Sequence, residues 1–459
     1  MISDTLTSSH DPSELRSQRR FATYHENRES QIHWIGVIPA HWAVKTLNRD
    51  GPILRGSSPR PIDAPEYFDD EGEYAWVRIE DVTASPDGYL RKTKQRLSPL
   101  GASHSRKLQP GDLFLSMAAT VGRPCITAIK CCIHDGFVYF PYLRLKTRYA
   151  FFVFLSGELF RGEGKLGTQL NLNTQIIGSL RIPVPPLEEQ QTIAAFLDRE
   201  TARIDALIAK KQRLIELLRE KRTALISHAV TKGLDPNAPM KSSGIDWLGV
   251  IPTPWSASPL KYLLSKIGSG KTPKGGAEVY VQEGVMLIRS QNVYDEGLRL
   301  DDVVCIDEET DSEMAGTRVR AADVLLNITG ASIGRCSIVP TSAPPANVNQ
   351  HVCILRPFNN RLHSSFLHAV LCSKGTKDWI RSQENGTSRE GLNFRQIGNL
   401  VIALPSPEEQ LTIVAYLYEH TGKLDSLVVQ VSMAIDRLRE YRSALISAAV
   451  TGKIDVRGE

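Results

Sequence analysis

The chain has 459 residues, 41% hydrophobic and 23% charged, with a formal net charge of +4. This is the composition of an ordinary soluble globular protein with room for two or three domains, and it permits a polyanionic partner without requiring one. It argues against a membrane-spanning helix, because no apolar run approaches the roughly 20 residues of a span, and MISDTLTSSHDPSELRSQRR at the start lacks the apolar centre of a secretory signal.

In chain order, residues 1–30 are read as an N-terminal tail, either disordered or a docking arm. HWIGVIPAHW (His33–Trp42) opens the first patterned segment. The short runs AWVRI, DLFLSM and RIPVP, broken up by Gly, Pro, Asn and Asp, predict strands, and FFVFLSGELF predicts a helix between them. The adjacent Cys131 and Cys132 fall in a strand-like run. Seven cysteines without a C-x-x-C pair indicate reduced thiols in a cytoplasm, with no metal site.

After VPPLEEQ, proline gives way to an acidic first turn, a favourable helix start. Leu197, Ile204, Leu207, Ile208, Leu214, Ile215, Leu218 and Leu225 then form a stripe at three/four spacing. A helix of about 40 residues is predicted, roughly 60 Å long at 1.5 Å per residue. The turn-rich KGLDPNAPMKSSG follows as a linker.

DWLGVIPTPW (Asp246–Trp255) then repeats the opening about 210 residues on, a period that means domain duplication rather than a solenoid. Just beyond it, SKIGSGKTPKGG (Ser265–Gly276) has the ending of a phosphate-binding loop, but Ser265 stands where the first glycine belongs. Pro273 and the Gly275–Gly276 pair oppose the helix that such a loop must open. Its twin in the first half, GSSPR from Gly56, has no lysine before the hydroxyl residue. Both stretches are therefore read as turns opening a repeated domain.

The matches continue in order. WVRIEDV pairs with LIRSQNV, GDLFLSMAATVGR with ADVLLNITGASIGR, and LNTQIIGSLRIPVPPLEEQ with LNFRQIGNLVIALPSPEEQ. VMLIR, DVLLNI and HVCILR predict strands and SSFLHAVLC a helix. The last stretch carries a second stripe: Leu417, Leu424, Leu427, Val428, Val431, Ile435, Leu438 and Leu445.

The fold class expected is α+β: two tandem α/β domains, their strands in a curved sheet, each domain followed by a long helix. The helices bury their stripes against each other as an antiparallel coiled coil with pseudo-twofold symmetry. The alternatives are that each stripe is core of its own domain or binds helices of another protein. Two unlike heads on a stiff spacer suit duplex DNA, whose half-sites lie one helical turn of roughly 34 Å, or a multiple of it, apart.

The WIGVIPAHW/WLGVIPTPW openings, the TPxxG-like turn, GxSIGR, GLNFRQIGNLVIALPSPEEQLTIVAYL and RSALISAAVTGKID resemble specificity subunits of type I restriction–modification systems. The resemblance covers nearly the whole chain beyond residue 30. It implies target-recognition domains at 31–186 and 246–406, a central helix at 187–232, a linker at 233–245, a C-terminal helix at 407–451 and a tail at 452–459. It also implies that double-stranded DNA is read as a bipartite site and that the helices dock two adenine-methyltransferase subunits, with ATP-dependent restriction endonuclease subunits added. S-adenosylmethionine, ATP and Mg belong on those partners, and this subunit is non-catalytic. The residues agree: neither VPPL nor APPA offers the Asn/Asp-Pro-Pro-aromatic tetrad of an adenine methyltransferase. The competing reading is a coiled-coil scaffold that binds no nucleic acid.

Bases are read by Arg, Asn, Gln, Ser and Thr on loops, and phosphates attract Arg and Lys. The candidates in the first half are Ser58 and Arg60; Thr120 and Arg123; and Lys165, Thr168, Gln169 and Asn171. In the second half they are Lys271, Thr272 and Lys274; Thr329, Ser332 and Arg335; and Thr387, Ser388 and Arg389. Each could equally serve turn chemistry or a solvated surface. Arg78 and Arg289 are assigned to structural pairing, and Asn173 and Asn393 to helix caps. Glu188, Glu189, Gln190, Arg219, Glu220 and Arg222 recur in both copies as candidate partner contacts, or as surface ion pairs of little energy.

Overall fold

The structure, a computed structural model, describes residues 21–117, 121–160, 172–383 and 391–459. Two compact units emerge: Met1–Lys210 with Ala434–Glu459, and Lys211–Met433. The division cuts both long helices, so each unit holds one globular part and portions of both.

In the first unit a four-stranded sheet runs Gln95–Leu97, Tyr74–Val77, Cys131–Ile133, Arg106–Leu108, with its central pair parallel. A five-stranded sheet runs Leu54–Arg55, Phe137–Tyr139, Leu113–Ser116, Pro124–Thr127, Tyr89–Leu90, and only its last pair is parallel. The second unit has two four-stranded sheets of related order. One runs Leu264–Ser269, Val352–Pro357, Val324–Asn327, Cys336–Ile338, and the other Tyr280–Val281, Val304–Ile306, Val285–Ile288, Ala346–Val348.

A single curved sheet per domain was expected; each unit instead divides its strands between sheets. A tight turn does this. Cys131–Ile133 belongs to one sheet and Phe137–Tyr139 to the other, with Phe137 N donating to His134 O across the bend. The second unit bends likewise between Ala346–Val348 and Val352–Pro357, closed by Val352 N donating to Asn349 O. Both faces of these strands are buried, so their side chains show no alternation that reveals the switch. Helix Thr147–Leu155 packs on the five-stranded sheet, with Tyr149 and Phe152 in one core with Leu113, Leu115 and Val138.

The first long helix spans Leu187–Lys232 and the second Pro407–Val450. In the first unit Ile193, Leu197 and Ile204, near the start of one, share a core with Leu445, Ile446, Ala449 and Val450 at the end of the other. The second unit reverses this, with Ile226, Ala229 and Val230 against Ile413 and Leu417. Start against end means antiparallel pairing within each unit. Arg442 bonds Asp205 at 2.9 Å in the first unit, and Arg222 bonds Asp425 at 3.1 Å in the second. Along the chain the two pairs are equally spaced, 205 to 222 on one helix and 425 to 442 on the other, 17 positions each.

The stripe is buried at its ends, but Leu207, Leu214 and Leu427 remain 42%, 42% and 44% exposed. A two-helix seam has only two walls, so residues flanking it keep one side in water. Since Asp425 is more than half exposed, its ion pair with Arg222 is screened. Arg222→Met is expected to cost at most about 1 kcal/mol. A thermal melt that collapsed on this substitution would show the pair to be structural.

Parts of three segments expected as tails or linker belong to the folded units. Tyr24 is buried, Asn27–Glu29 pairs with Val37–Pro39, and Asp455 N donates to Ala22 O with Val456 buried beside it. In the second unit Met240–Ser242, inside the expected linker, pairs with Val250–Pro252 in the same way. The side chains of both added strands are exposed, so polar bonds hold them, backbone pairing in both and in the first also Arg28 donating to Ala40 O and Trp42 O, and no apolar pattern marks them.

Candidate nucleic-acid interface

The recurring opening and EEQ motifs meet in space. The two-stranded ribbon Ala43–Thr46 with Arg181–Val184 delivers the chain to the first long helix. There the buried Glu189 carboxylate accepts from Tyr24 Oη at 2.5 Å and Trp42 Nε1 at 3.1 Å, and lies 2.8 Å from His41 Nε2. Burial, then the Glu189 hydrogen bond, push the Tyr24 phenol far above its ordinary range, so it remains a donor. Gln190 accepts from Lys146 N and donates to Pro185 O, both at 2.9 Å. The second unit repeats the arrangement, with Trp255 Nε1 on Glu409 and Gln410 on His363 N and Pro405 O.

Glu189 and Gln190 were candidate partner contacts; both are buried and bonded inside their own unit, which removes them from any docking surface. Glu188 and Arg219 are exposed, Glu220 faces Arg213 at 3.6 Å, and Arg222 is held by Asp425.

The opening turns owe their glycines to backbone crowding. A Cβ on Gly56 would lie 2.1 Å from His134 O, and one on Gly270 1.7 Å from Val348 O. Strand Leu264–Ser269 then runs into coil and a short 3-10 turn at Gly276–Val279, without the helix a phosphate loop requires. Lys271 and Thr272 are exposed, and Lys274 pairs with Glu313 at 3.1 Å. In the first unit Ser58 Oγ donates to Asp135 Oδ1 at 2.9 Å and Arg60 reaches Oδ2 at 3.0 Å. Partial burial opposes ionisation of Asp135, but the Ser58 hydroxyl and the Arg55 and Arg60 charges outweigh it and hold the carboxyl below its ordinary range.

The second unit also holds a cleft of about 460 Å³ lined by Ser290, Gln291, Tyr294, Thr329, Ser332, Arg335 and His351. Thr329 Oγ1 lies 2.5 Å from His351 Nδ1, and Asn327 Nδ2 donates to Ser332 Oγ at 3.1 Å. The Arg335 guanidinium lies 4.8 Å from the Tyr294 ring centre, and Arg299 approaches the same ring at 3.7 Å. The Asn349–Val352 turn connects the cleft to the opening turn, since Gly270 N donates to Val352 O. Thr329 also pairs with Gly391. Thr329, Ser332 and Arg335 are thus brought together. Gln291, Tyr294 and His351 join them unpredicted, although Gln291 stands in the repeated LIRSQNV run.

In the first unit Arg123 is half-buried and reaches Thr83 O at 3.5 Å. Thr120, Lys165, Thr168, Gln169, Asn171, Thr387, Ser388 and Arg389 lie outside the described residues. Arg78 donates to Gln95 and Arg289 to Asp302 O, both structural pairings. Asn173 and Asn393 cap short helices by accepting from Ile176 N and Gln396 N at 2.8 Å. No metal site was expected from the sequence, yet the fold brings Cys336, His368 and Cys372 together. Among the described residues, no helix is long and apolar enough to cross a membrane.

Residues 42–217 and 265–428 match the family described as the type I restriction modification DNA specificity domain. The MjaVIII specificity subunit of Methanocaldococcus jannaschii is 25% identical over 443 residues, covering 95% of this chain and 97% of that subunit. The EcoBI specificity subunit of Escherichia coli is 28% identical over 294 residues, a match spanning 62% of this chain and 61% of that relative's length. A chain solved in work on the assembly and conformational transition of a type I R-M system shares the fold at TM-score 0.69 and 16% identity, covering 90% of this chain and 98% of that one. The HsdS subunit from Thermoanaerobacter tengcongensis follows at TM-score 0.51 and 17% identity, covering 91% and 98%. With two tandem matches separated by the duplication seen in its own residues, this chain belongs to the type I restriction–modification DNA specificity family.

Proposed function

We propose that the chain is the non-catalytic, sequence-reading subunit of a cytoplasmic type I restriction–modification complex. Each unit reads one half of a bipartite duplex site. The long helices fix the gap and dock two adenine-methyltransferase subunits, which restriction subunits then join. S-adenosylmethionine, ATP and Mg are bound by those partners.

The observation that carries this reading is the cleft of the second unit, where hydroxyl, amide, imidazole and guanidinium groups from separate loops converge beside an aromatic ring. Guanidinium groups pair with guanine O6 and N7, amides with adenine N6 and N7, and hydroxyls with either base. Lys271 and Lys274 on the opening turn suit phosphates, as Ser58, Arg60 and Arg123 suit the equivalent role in the first unit.

The test assembles the chain with its methyltransferase subunits and maps methylated sites by sequencing. Arg335→Ala should relax one position of one half-site, with about 1–3 kcal/mol of lost discrimination, and leave the other half-site unchanged. Equal weakening on every duplex, with the site preference intact, would reduce Arg335 to a phosphate contact. Binding that never distinguishes one duplex from another would sink the reading altogether.

A further inference from the structure

Behind the cleft of the second unit lies a cluster that the DNA-reading proposal does not use. Cys336 opens strand Cys336–Ile338 directly after Arg335, while His368 and Cys372 stand four apart on helix Ser364–Cys372 and therefore on one helix face. Cys336 Sγ lies 3.6 Å from Cys372 Sγ, and Cys372 Sγ lies 3.6 Å from His368 Nε2. All three ligand atoms fall within 4.8 Å of one another. A tetrahedral zinc with bonds of about 2.3 Å to sulfur and 2.0–2.1 Å to nitrogen needs edges of about 3.8 Å between sulfurs and about 3.6 Å between sulfur and nitrogen. Two of the three spacings, 3.6 Å each, are already close to those edges, and the third is no longer than 4.8 Å.

The fourth side faces Asp295, whose Oδ1 is 3.7 Å from Cys336 Sγ and accepts from Cys336 N at 2.9 Å. Lys377 Nζ is 3.0 Å from both Asp295 oxygens and also bonds Gly334 O. Two thiolates and a neutral imidazole cancel the charge of a divalent ion, and Lys377 cancels that of Asp295, so occupancy adds no net charge to a half-buried site.

The duplicated unit is an internal control. Pro124 follows the shared Gly-Arg where Cys336 does, and helix Thr147–Leu155 matches Ser364–Cys372 position for position. The register is fixed by Gln190 on Lys146 N and Gln410 on His363 N. Phe151 and Leu155 then occupy the places of His368 and Cys372. The fold is satisfied by an apolar triad there, so packing does not demand the two thiols and imidazole of the second unit.

We propose that Cys336, His368 and Cys372 bind a single zinc ion that ties the strand after the Gly330–Arg335 loop to the helix behind it, with Asp295 facing the fourth position. This proposal does not rest on the DNA-reading one, because its readout is the metal itself. The full chain, produced in zinc-containing medium and purified without chelators, should carry one zinc per chain by elemental analysis and native mass spectrometry. Adding Co²⁺ to the reduced, zinc-stripped chain should give thiolate charge-transfer and tetrahedral d–d absorption. The Cys336→Ser/Cys372→Ser pair should lose both signals, while Cys125→Ser, altering a buried thiol of the other unit, keeps them. The cobalt spectrum is read on the unsubstituted chain, so a misfolded variant does not blunt the test. A metal-free chain that stays spectrally silent with Co²⁺ overturns the proposal. So does a Cys336–Cys372 disulfide, seen as the loss of two hydrogens in intact mass, in the chain as purified.

Discussion

Glu189→Ala is expected to destabilise the first unit by about 3–5 kcal/mol, because it leaves two buried donors without an acceptor. Tyr24 Oη and Trp42 Nε1 both end on this carboxylate, and both side chains are at least 96% buried. The second unit supplies the comparison, since among the described residues Trp255 Nε1 is the one side-chain donor to Glu409, which is itself only partly buried. Glu409→Ala should therefore cost less, about 1–2 kcal/mol. Hydrogen exchange would localise the effect: Glu189→Ala should raise exchange in Leu113–Ser116 and spare Val324–Asn327. Equal losses from the two substitutions would mean that the second donor contributes nothing.

Lengthening both helices should change the gap in the DNA site and leave both half-sites as they are. Four extra residues add about 6 Å of helix, against about 3.4 Å per base pair, so the gap should grow by one or two base pairs. The insertion points follow from the register of the Asp205–Arg442 pair: eight residues on from Asp205 is Arg213, and eight back from Arg442 is Ala434. Inserting after Arg213 and after Met433 keeps both Asp–Arg pairs in register, whereas an insertion in one helix alone would break one of them. Methylated-site mapping reads the outcome. Half-sites that change while the gap stays fixed would end the idea of a helical spacer.

The duplication, the strand runs and the two long amphipathic helices were legible because each is written locally. Trp42 and Trp255 recur in one motif, and Leu197, Ile204, Leu417 and Leu424 mark faces by spacing alone. Arg335 and Ser332 could be singled out because a polar loop between two strand-like runs is a local signal. His351 and Tyr294 could not, because their relation to that loop depends on which strand pairs with which. Glu189 and Gln190 misled for the opposite reason: an acidic first turn looks like surface, and only the chain folding back from Tyr24 to Trp42 buries it.

The sequence by itself determined that there are two related units and two long amphipathic helices, since repetition and three/four periodicity need no partner to be read. Tertiary structure alone decided that each unit divides its strands between sheets and that residues 21–30 complete the first unit. It alone assembled Cys336, His368 and Cys372 from a strand and a helix, the first ligand more than thirty residues before the second. The physical reason is the same in each case. Backbone pairing and side-chain convergence across distant segments depend on chain reversal, which leaves no period in the residues it brings together.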